Sequence, residues 1–122
     1  MRLNGIVTIK KREDFLFAQH NGCFIGSFGL FLQVVRESSE PLQHDVIRVG
    51  FTVSKKVGNA VVRNKVKRRF RVLAESVIVQ HARKGYYYIL IASKDTPKIS
   101  FQDMLSRLVS YLNTSRVYSK TL

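Results

Sequence analysis

Residues 46–74 constrain the fold of this chain more than any other segment, because their sequence changes period partway along. Apolar residues first alternate with others, as in a strand, and from residue 59 they recur every three or four positions, as in a helix with one buried face. The same segment holds nine Lys or Arg and no Asp or Glu. Two regular periods are typical of folded structure. We therefore predict a folded surface of one charge sign, whose counter-charge comes from solvent ions or from a polyanion.

The overall charge also predicts an anionic partner. The chain has 122 residues, the usual size of one domain, with 21 Lys or Arg against 8 Asp or Glu and a net charge of +13. No apolar run approaches the ~20 residues that span a membrane, and no signal-peptide pattern opens the chain. A single cysteine, Cys23, excludes an internal disulfide and favours a reducing compartment. We expect a single cytoplasmic domain over residues 1–122 that binds a polyanion and no membrane.

Apolar periodicity and turn residues together predict a layered α+β domain with the order α-β-β-(β)-α-β-α. Asn59 is placed to cap the long helix, and the apolar run YYYILIA is typical of a central strand covered on both faces. The predicted segments in chain order are an extended N-terminus over 1–11, a short helix over 12–20, one bent strand or two over 23–35, a strand over 46–53, a long helix from 59 to about 82, a strand over 86–92, an amphipathic helix over 101–113 and a loose tail over 114–122.

The long helix is predicted to separate its apolar and basic residues sharply. On a helical wheel its apolar side chains form one narrow stripe, and most of the remaining circumference is cationic. Arg63, Lys67 and Arg71 follow one another at single turns along one edge, rising ~6 Å per step. A merely solvated face usually alternates Glu with Lys at this spacing, whereas here like charges are stacked. We interpret the basic face as a binding surface. The apolar stripe consists of Val62, Val66, Phe70, Leu73 and Val77.

Further polar residues extend this basic face toward the loop before the helix. Asn64 and Arg68 lie beside the Arg63 edge, and the loop adds Lys55 and Lys56. Guanidinium groups and an amide favour shaped, hydrogen-bonded contact with phosphate and sugar over diffuse attraction. A glycine in the same loop permits close approach of the backbone.

The run FTVSKKVGNAVVRNKVKR closely resembles the signature of the bacterial ribonuclease P protein subunit. In that family a Lys-Lys loop precedes a helix that carries an Arg-Asn pair, a hydrophobe and Lys-Arg. The order of the remaining segments agrees, so the resemblance covers nearly the whole chain. It implies a left-handed βαβ crossover around the long helix, an arrangement that is rare among proteins and that this family shares with a domain of one ribosomal protein.

The resemblance also implies a function. The family's protein is the accessory subunit of an endoribonuclease that removes the 5′ leader from precursor tRNA. Catalysis resides in a partner RNA, which binds most of the required Mg²⁺, and no obligate protein partner is implied. The positions that match the family's RNA-binding motif are Lys55, Lys56, Arg63, Asn64, Lys67, Arg68 and Arg71.

The resemblance further implies a cleft that binds the single-stranded leader of precursor tRNA. Phe15 corresponds to an aromatic residue of this cleft, and Phe17 is a second candidate, because unpaired bases stack on aromatic faces. Packing of the first helix onto the sheet is the alternative role for Phe15. Family members often carry another aromatic four residues later, where this chain has Gln19. After Arg71 the chain again departs from the family pattern, so we end the RNA site there.

The chain's own acids and histidines do not predict a catalytic or metal site. The eight acids are scattered over separate segments, and the three histidines show no ligand spacing. A ribosomal or other structural RNA-binding protein, without an associated reaction, is the main alternative function, and a DNA-binding regulator is a third. The Arg-Asn motif favours the ribonuclease P function over a ribosomal one. The even charge of the long helix disfavours a DNA-binding regulator.

Overall fold

The computed structural model of this protein describes residues 6–9, 12–13, 15–16, 22–36, 47–81 and 86–121. Its centre is one five-stranded mixed sheet with the strand order β1-β4-β5-β3-β2. The strands are β1 (Ile6–Thr8), β2 (Cys23–Ser27), β3 (Leu30–Arg36), β4 (Ile47–Thr52) and β5 (Tyr86–Ile91).

Two long helices accompany the sheet. The helix α1 (Ala60–Leu73) continues through a π-helical turn (Ala74–Ile78) into a last α-helical turn (Val79–His81), close to its predicted end at about residue 82. The helix α2 spans Phe101–Thr121. Short 3-10 turns occur at Lys55–Val57 and Thr96–Lys98, and the described residues between 12 and 16 are helical.

The strand β5 occupies the centre of the sheet, as its apolar sequence predicts. It pairs in parallel with β4, with Gly50 opposite Ile89, and antiparallel with β3 on its other side. The helix α1 therefore connects two neighbouring parallel strands, which confirms the predicted βαβ unit and the α+β class. The left-handed sense of this crossover stays a prediction.

One face of the sheet packs against both helices and forms the main core. The apolar stripe of α1 enters this core as predicted: Val66, Phe70 and Leu73 are buried, and Val62 packs at its margin. The Phe70 ring lies 6.1 Å from the ring of Phe51 on β4. Burial of this stripe turns the basic residues of α1 outward.

The opposite face of the sheet carries a smaller apolar cluster. Its buried members are Ile9, Val35, Tyr87 and Ile89, and the Phe15 ring packs against them from the helical segment. Toward β2 the described part of this face is more accessible, and Phe24 there is exposed.

The structure adds detail at the N-terminus and differs from the sequence prediction at the C-terminus. Within the segment predicted to be extended, Ile6–Thr8 forms a parallel strand on β4 that the sequence analysis did not assign, and the Ile9 amide donates to the Val49 carbonyl at 2.7 Å. The last helix was predicted to end at Asn113, but it continues to Thr121. Residues 114–121 contain neither Gly nor Pro to end it, and the Thr114 hydroxyl donates to the Ser110 carbonyl within the helix.

Candidate nucleic-acid interface

The junction between β4 and α1 fixes the two loop lysines in place. Lys55 and Lys56 lie in a 3-10 turn and are exposed, while the adjacent Val57 is buried in the core and anchors the turn. Gly58 has φ +154°, and a Cβ there would meet Val62 at 3.0 Å, so the position favours glycine. The predicted cap is confirmed, since the Asn59 side chain accepts a hydrogen bond from the Val62 amide at 3.0 Å.

The helix α1 presents the predicted basic edge to solvent. Lys67 and Arg71 are exposed, and Asn64 and Arg68 beside them are exposed as well. Arg63 is half-buried, and its Nε is buried without a hydrogen-bond partner among the described residues. We name these five residues together with the two loop lysines the cationic surface, which consists of Lys55, Lys56, Arg63, Asn64, Lys67, Arg68 and Arg71.

No residue of the cationic surface forms a salt bridge with a described acid. Two of these acids pair elsewhere: Asp95 lies 3.3 Å from Lys98, and Asp103 lies 3.1 Å from Arg107. The first turn of α1 carries no acid, so the positive end of the helix dipole adds to the field of the surface. Within the described chain this charge is not compensated, which favours a polyanionic ligand.

Arg69 behaves differently from the other basic residues of α1. Its side chain is half-buried, and its Nη1 lies 3.5 Å from the Ile99 carbonyl, across the loop that precedes α2. This contact joins positions that are 30 residues apart in sequence. Arg69 therefore helps to attach α1 to that loop, and we do not count it in the cationic surface.

A cleft of about 990 Å³ opens on the uncovered part of the sheet, next to the cationic surface. We name it the aromatic cleft. The end of β4 and the following Val53 and Ser54 form one wall, and Ser54 leads directly into the lysine turn. The cleft and the cationic surface are therefore adjacent at Ser54 and the lysine turn. Its lining includes Arg12, Phe15, Phe24, Gln33, Ser54 and Ile91.

Phe15 packs onto the sheet and also lines the aromatic cleft. Its ring packs over Gly50, so closely that a Cβ on Gly50 would lie 2.7 Å from Phe15 Cε1, and it also lines the aromatic cleft. Phe17, the second predicted cleft residue, and Gln19 lie outside the described residues.

The sequence analysis missed Phe24 and Gln33 as cleft residues. They stand directly opposite each other on β2 and β3, with their side chains on the open face of the sheet. Side chains alternate between the two faces along each strand. If the hairpin turn is known to lie at Phe28 and Gly29, this alternation places Phe24 and Gln33 on the same face. Without the position of that turn, the register between the two strands is undetermined.

In the described part of the chain, no group of three or more His, Cys, Asp or Glu side chains is arranged to hold a metal ion. None of its helices is both long and apolar enough to cross a membrane.

A mixed single sheet, a helix whose basic face has no salt-bridge partner among the described acids, and an adjacent aromatic cleft are together typical of an RNA-binding α+β protein. More specifically, the chain belongs to the ribonuclease P protein family, because a sequence model of that family, described as Ribonuclease P, matches residues 3–116. As a member, it acts in tRNA processing as the protein subunit of this ribonucleoprotein enzyme, and its partner is the ribonuclease P RNA.

Individual relatives agree with this assignment. The chain is 40% identical over 113 residues to the ribonuclease P protein component of Paramagnetospirillum magneticum, and the alignment covers 93% of this chain and 85% of the relative. The corresponding protein of Ruegeria pomeroyi is 40% identical over 106 residues, with coverages of 86% and 82%.

Solved structures of ribonuclease P proteins share the fold. The protein from Staphylococcus aureus superimposes with a TM-score of 0.74 at 28% identity, over 90% of this chain and 95% of that one. The protein from Thermotoga maritima, at 22% identity, shares the fold with a TM-score of 0.71, over 87% and 94% of the two chains.

Proposed function

We propose that the cationic surface binds the catalytic RNA of ribonuclease P, and that the aromatic cleft holds the single-stranded 5′ leader of precursor tRNA. The observation that supports this most strongly is the adjacency of the two sites. The basic face on α1, which has no salt-bridge partner among the described acids, and the lysine turn lie next to a cleft lined by aromatic residues. Phosphates suit the first site and unpaired bases suit the second.

Contact with phosphates explains the spacing of the basic edge. Arg63, Lys67 and Arg71 rise ~6 Å per step along α1, close to the separation of successive phosphates in an extended strand. Such contacts position an RNA backbone without reading its bases, as expected for a surface that recognises one folded RNA by shape. The exposed amide of Asn64 adds a group that both donates and accepts hydrogen bonds.

Arg63 is suited to a contact that is more specific than charge attraction. Its partial burial is consistent with a stem that lies over the margin of the core and a guanidinium tip directed outward. Its buried Nε has no acceptor among the described residues, at a cost of about 1–3 kcal/mol, which supports a role for this arginine beyond internal stability. The bidentate geometry of its terminal nitrogens matches a phosphate.

We assign the chemical step to the RNA, with Mg²⁺ bound mainly by that RNA. The described residues offer no acidic or histidine group that fits the ion, so we derive no step through it on this chain. The protein contributes binding energy and positions the substrate, which raises the effective concentration of the scissile bond at the RNA active site. We also propose a cytoplasmic location, which the single cysteine favours.

Reconstitution tests this function. The chain, its cognate ribonuclease P RNA and precursor tRNA are combined with and without Mg²⁺, and the 5′ ends of the products are mapped. We expect cleavage at the mature 5′ end only when RNA and Mg²⁺ are both present, with the chain improving precursor affinity. Robust cleavage of precursor tRNA by the chain without RNA would contradict the proposal.

A further inference from the structure

The edge strand β2 holds a large aromatic side chain in solvent. Phe24 is 57% exposed, although it lies on a sheet face where neighbouring apolar side chains are partly covered. Its ring stacks on that of Phe31 in the adjacent strand, with centroids 5.3 Å apart and an angle of 24° between the planes. One face of the Phe24 ring is therefore supported by protein, and the ring also lines the aromatic cleft.

Among the described residues of the cleft, Phe15 and Phe24 differ in how much ring surface they offer to a ligand. Phe15 is already engaged, because it packs over Gly50 and against the cluster that contains Ile9 and Tyr87. Among the described residues Phe24 stacks on Phe31, and more than half of its surface stays accessible. Phe24 is consequently the more accessible of these two rings.

We propose that Phe24 is the base-stacking residue of the aromatic cleft and that one unpaired nucleobase of the leader stacks on its outer face. Support from Phe31 fixes the orientation of the ring before the ligand arrives, which lowers the entropic cost of binding. Every base has a π-face, so such a platform accepts any nucleotide. This inference rests on the proposed function of the cleft.

The expected loss of affinity on removing the Phe24 ring follows from the energetics of base stacking on aromatic side chains. Removing one such platform weakens binding by between about fivefold and about a hundredfold. Since Phe24 lies on an edge strand and remains partly open, we expect the lower part of this range, about fivefold to tenfold.

The test uses the reconstituted ribonucleoprotein and two ligands, a precursor tRNA with its leader and the same tRNA without it. Phe24→Ala and Phe24→Leu should each weaken binding of the leader-bearing tRNA by about fivefold to tenfold and leave the leaderless tRNA unchanged. Phe24→Tyr, which keeps the aromatic face, should bind like wild type. Loss of affinity for both tRNAs would contradict the proposal.

Phe28 provides a matched control. It is 52% exposed, similar to Phe24, but it lies at the β2–β3 turn and does not line the cleft. Contacts to the backbone hold that turn, since Arg107 donates to the Phe28 carbonyl and Thr96 to the Gly29 carbonyl. Phe28→Ala should therefore retain wild-type affinity for both tRNAs. An equal loss of affinity in Phe24→Ala and Phe28→Ala would refute a specific role for Phe24.

Leaders that carry one abasic nucleotide at successive positions complete the test. With wild-type protein, one abasic position should weaken binding about as much as Phe24→Ala does, and the two changes combined should have no further effect. Wild-type protein without any preference for the leader would overturn the proposed function of the cleft. Leader preference that survives in Phe24→Ala and Phe24→Leu would overturn only the role of Phe24.

Discussion

Replacement of Arg63 by Ala should impair assembly with the ribonuclease P RNA without unfolding the protein. The substitution removes one or two charge-assisted hydrogen bonds to phosphate, each worth about 1.5–3 kcal/mol. The affinity for the RNA should therefore fall by roughly tenfold or more. Arg63→Lys should restore only part of this loss, because an ammonium group cannot reproduce the bidentate contact of a guanidinium.

Folding stability should change little in Arg63→Ala because two effects oppose each other. The substitution eliminates a buried Nε that has no described acceptor, which is worth about 1–3 kcal/mol. It also removes Cγ and Cδ from the margin of the core, at about 0.8 kcal/mol each if fully buried. The midpoint of thermal unfolding should consequently stay within about 4 °C of wild type.

Phe70→Ala provides the contrast on the buried side of the same helix. Phe70 is fully buried, so its truncation should cost about 3–5 kcal/mol and lower the unfolding midpoint by about 10 °C or more. The assay compares thermal unfolding and RNA affinity for wild type, Arg63→Ala, Arg63→Lys and Phe70→Ala. If Arg63→Ala melted far below wild type and yet bound RNA normally, Arg63 would be a structural residue and our assignment would be wrong.

Two further substitutions test how the fold positions the site. Asn59→Ala should lower the free energy of unfolding by about 1 kcal/mol in denaturant titrations, because the hydrogen bond from the Val62 amide to the cap is lost. Asn59→Ser should recover most of this stability. Equal stability of Asn59→Ala and wild type would contradict the cap. Gly50→Ala should cost about 1–3 kcal/mol, because its Cβ would displace the Phe15 ring, and an unchanged melting curve would contradict that packing.

The sequence predicted those parts of the fold that depend on local periodicity. The apolar stripe of α1, its cap at Asn59 and the central strand β5 each produce a pattern within one short segment. The cationic surface was predictable for the same reason, because burial of one helical face determines which residues point outward. Even the half-buried position of Arg63 agrees with its place at the edge of the stripe.

The remaining features depend on contacts between distant segments. The strand β1 is only three residues long and is recognisable only through its parallel pairing with β4. The contact of Arg69 with the Ile99 carbonyl and the place of Phe24 in the cleft likewise require the tertiary arrangement. The end of α2 was mispredicted because residues 114–121 lack apolar periodicity but also lack any residue that stops a helix.

The salt dependence of RNA binding tests most directly whether the cationic surface is the binding surface. With about five to seven phosphates neutralised, the logarithm of the association constant should fall with the logarithm of salt concentration at a slope on the order of −4 to −6. The double variant Lys67→Gln, Arg71→Gln should make this slope less negative by roughly two, about one for each lost phosphate contact. Lys98→Gln, which removes a charge paired with Asp95 outside this surface, should not change it. A slope near zero, or equal slopes in wild type and the double variant, would contradict the account.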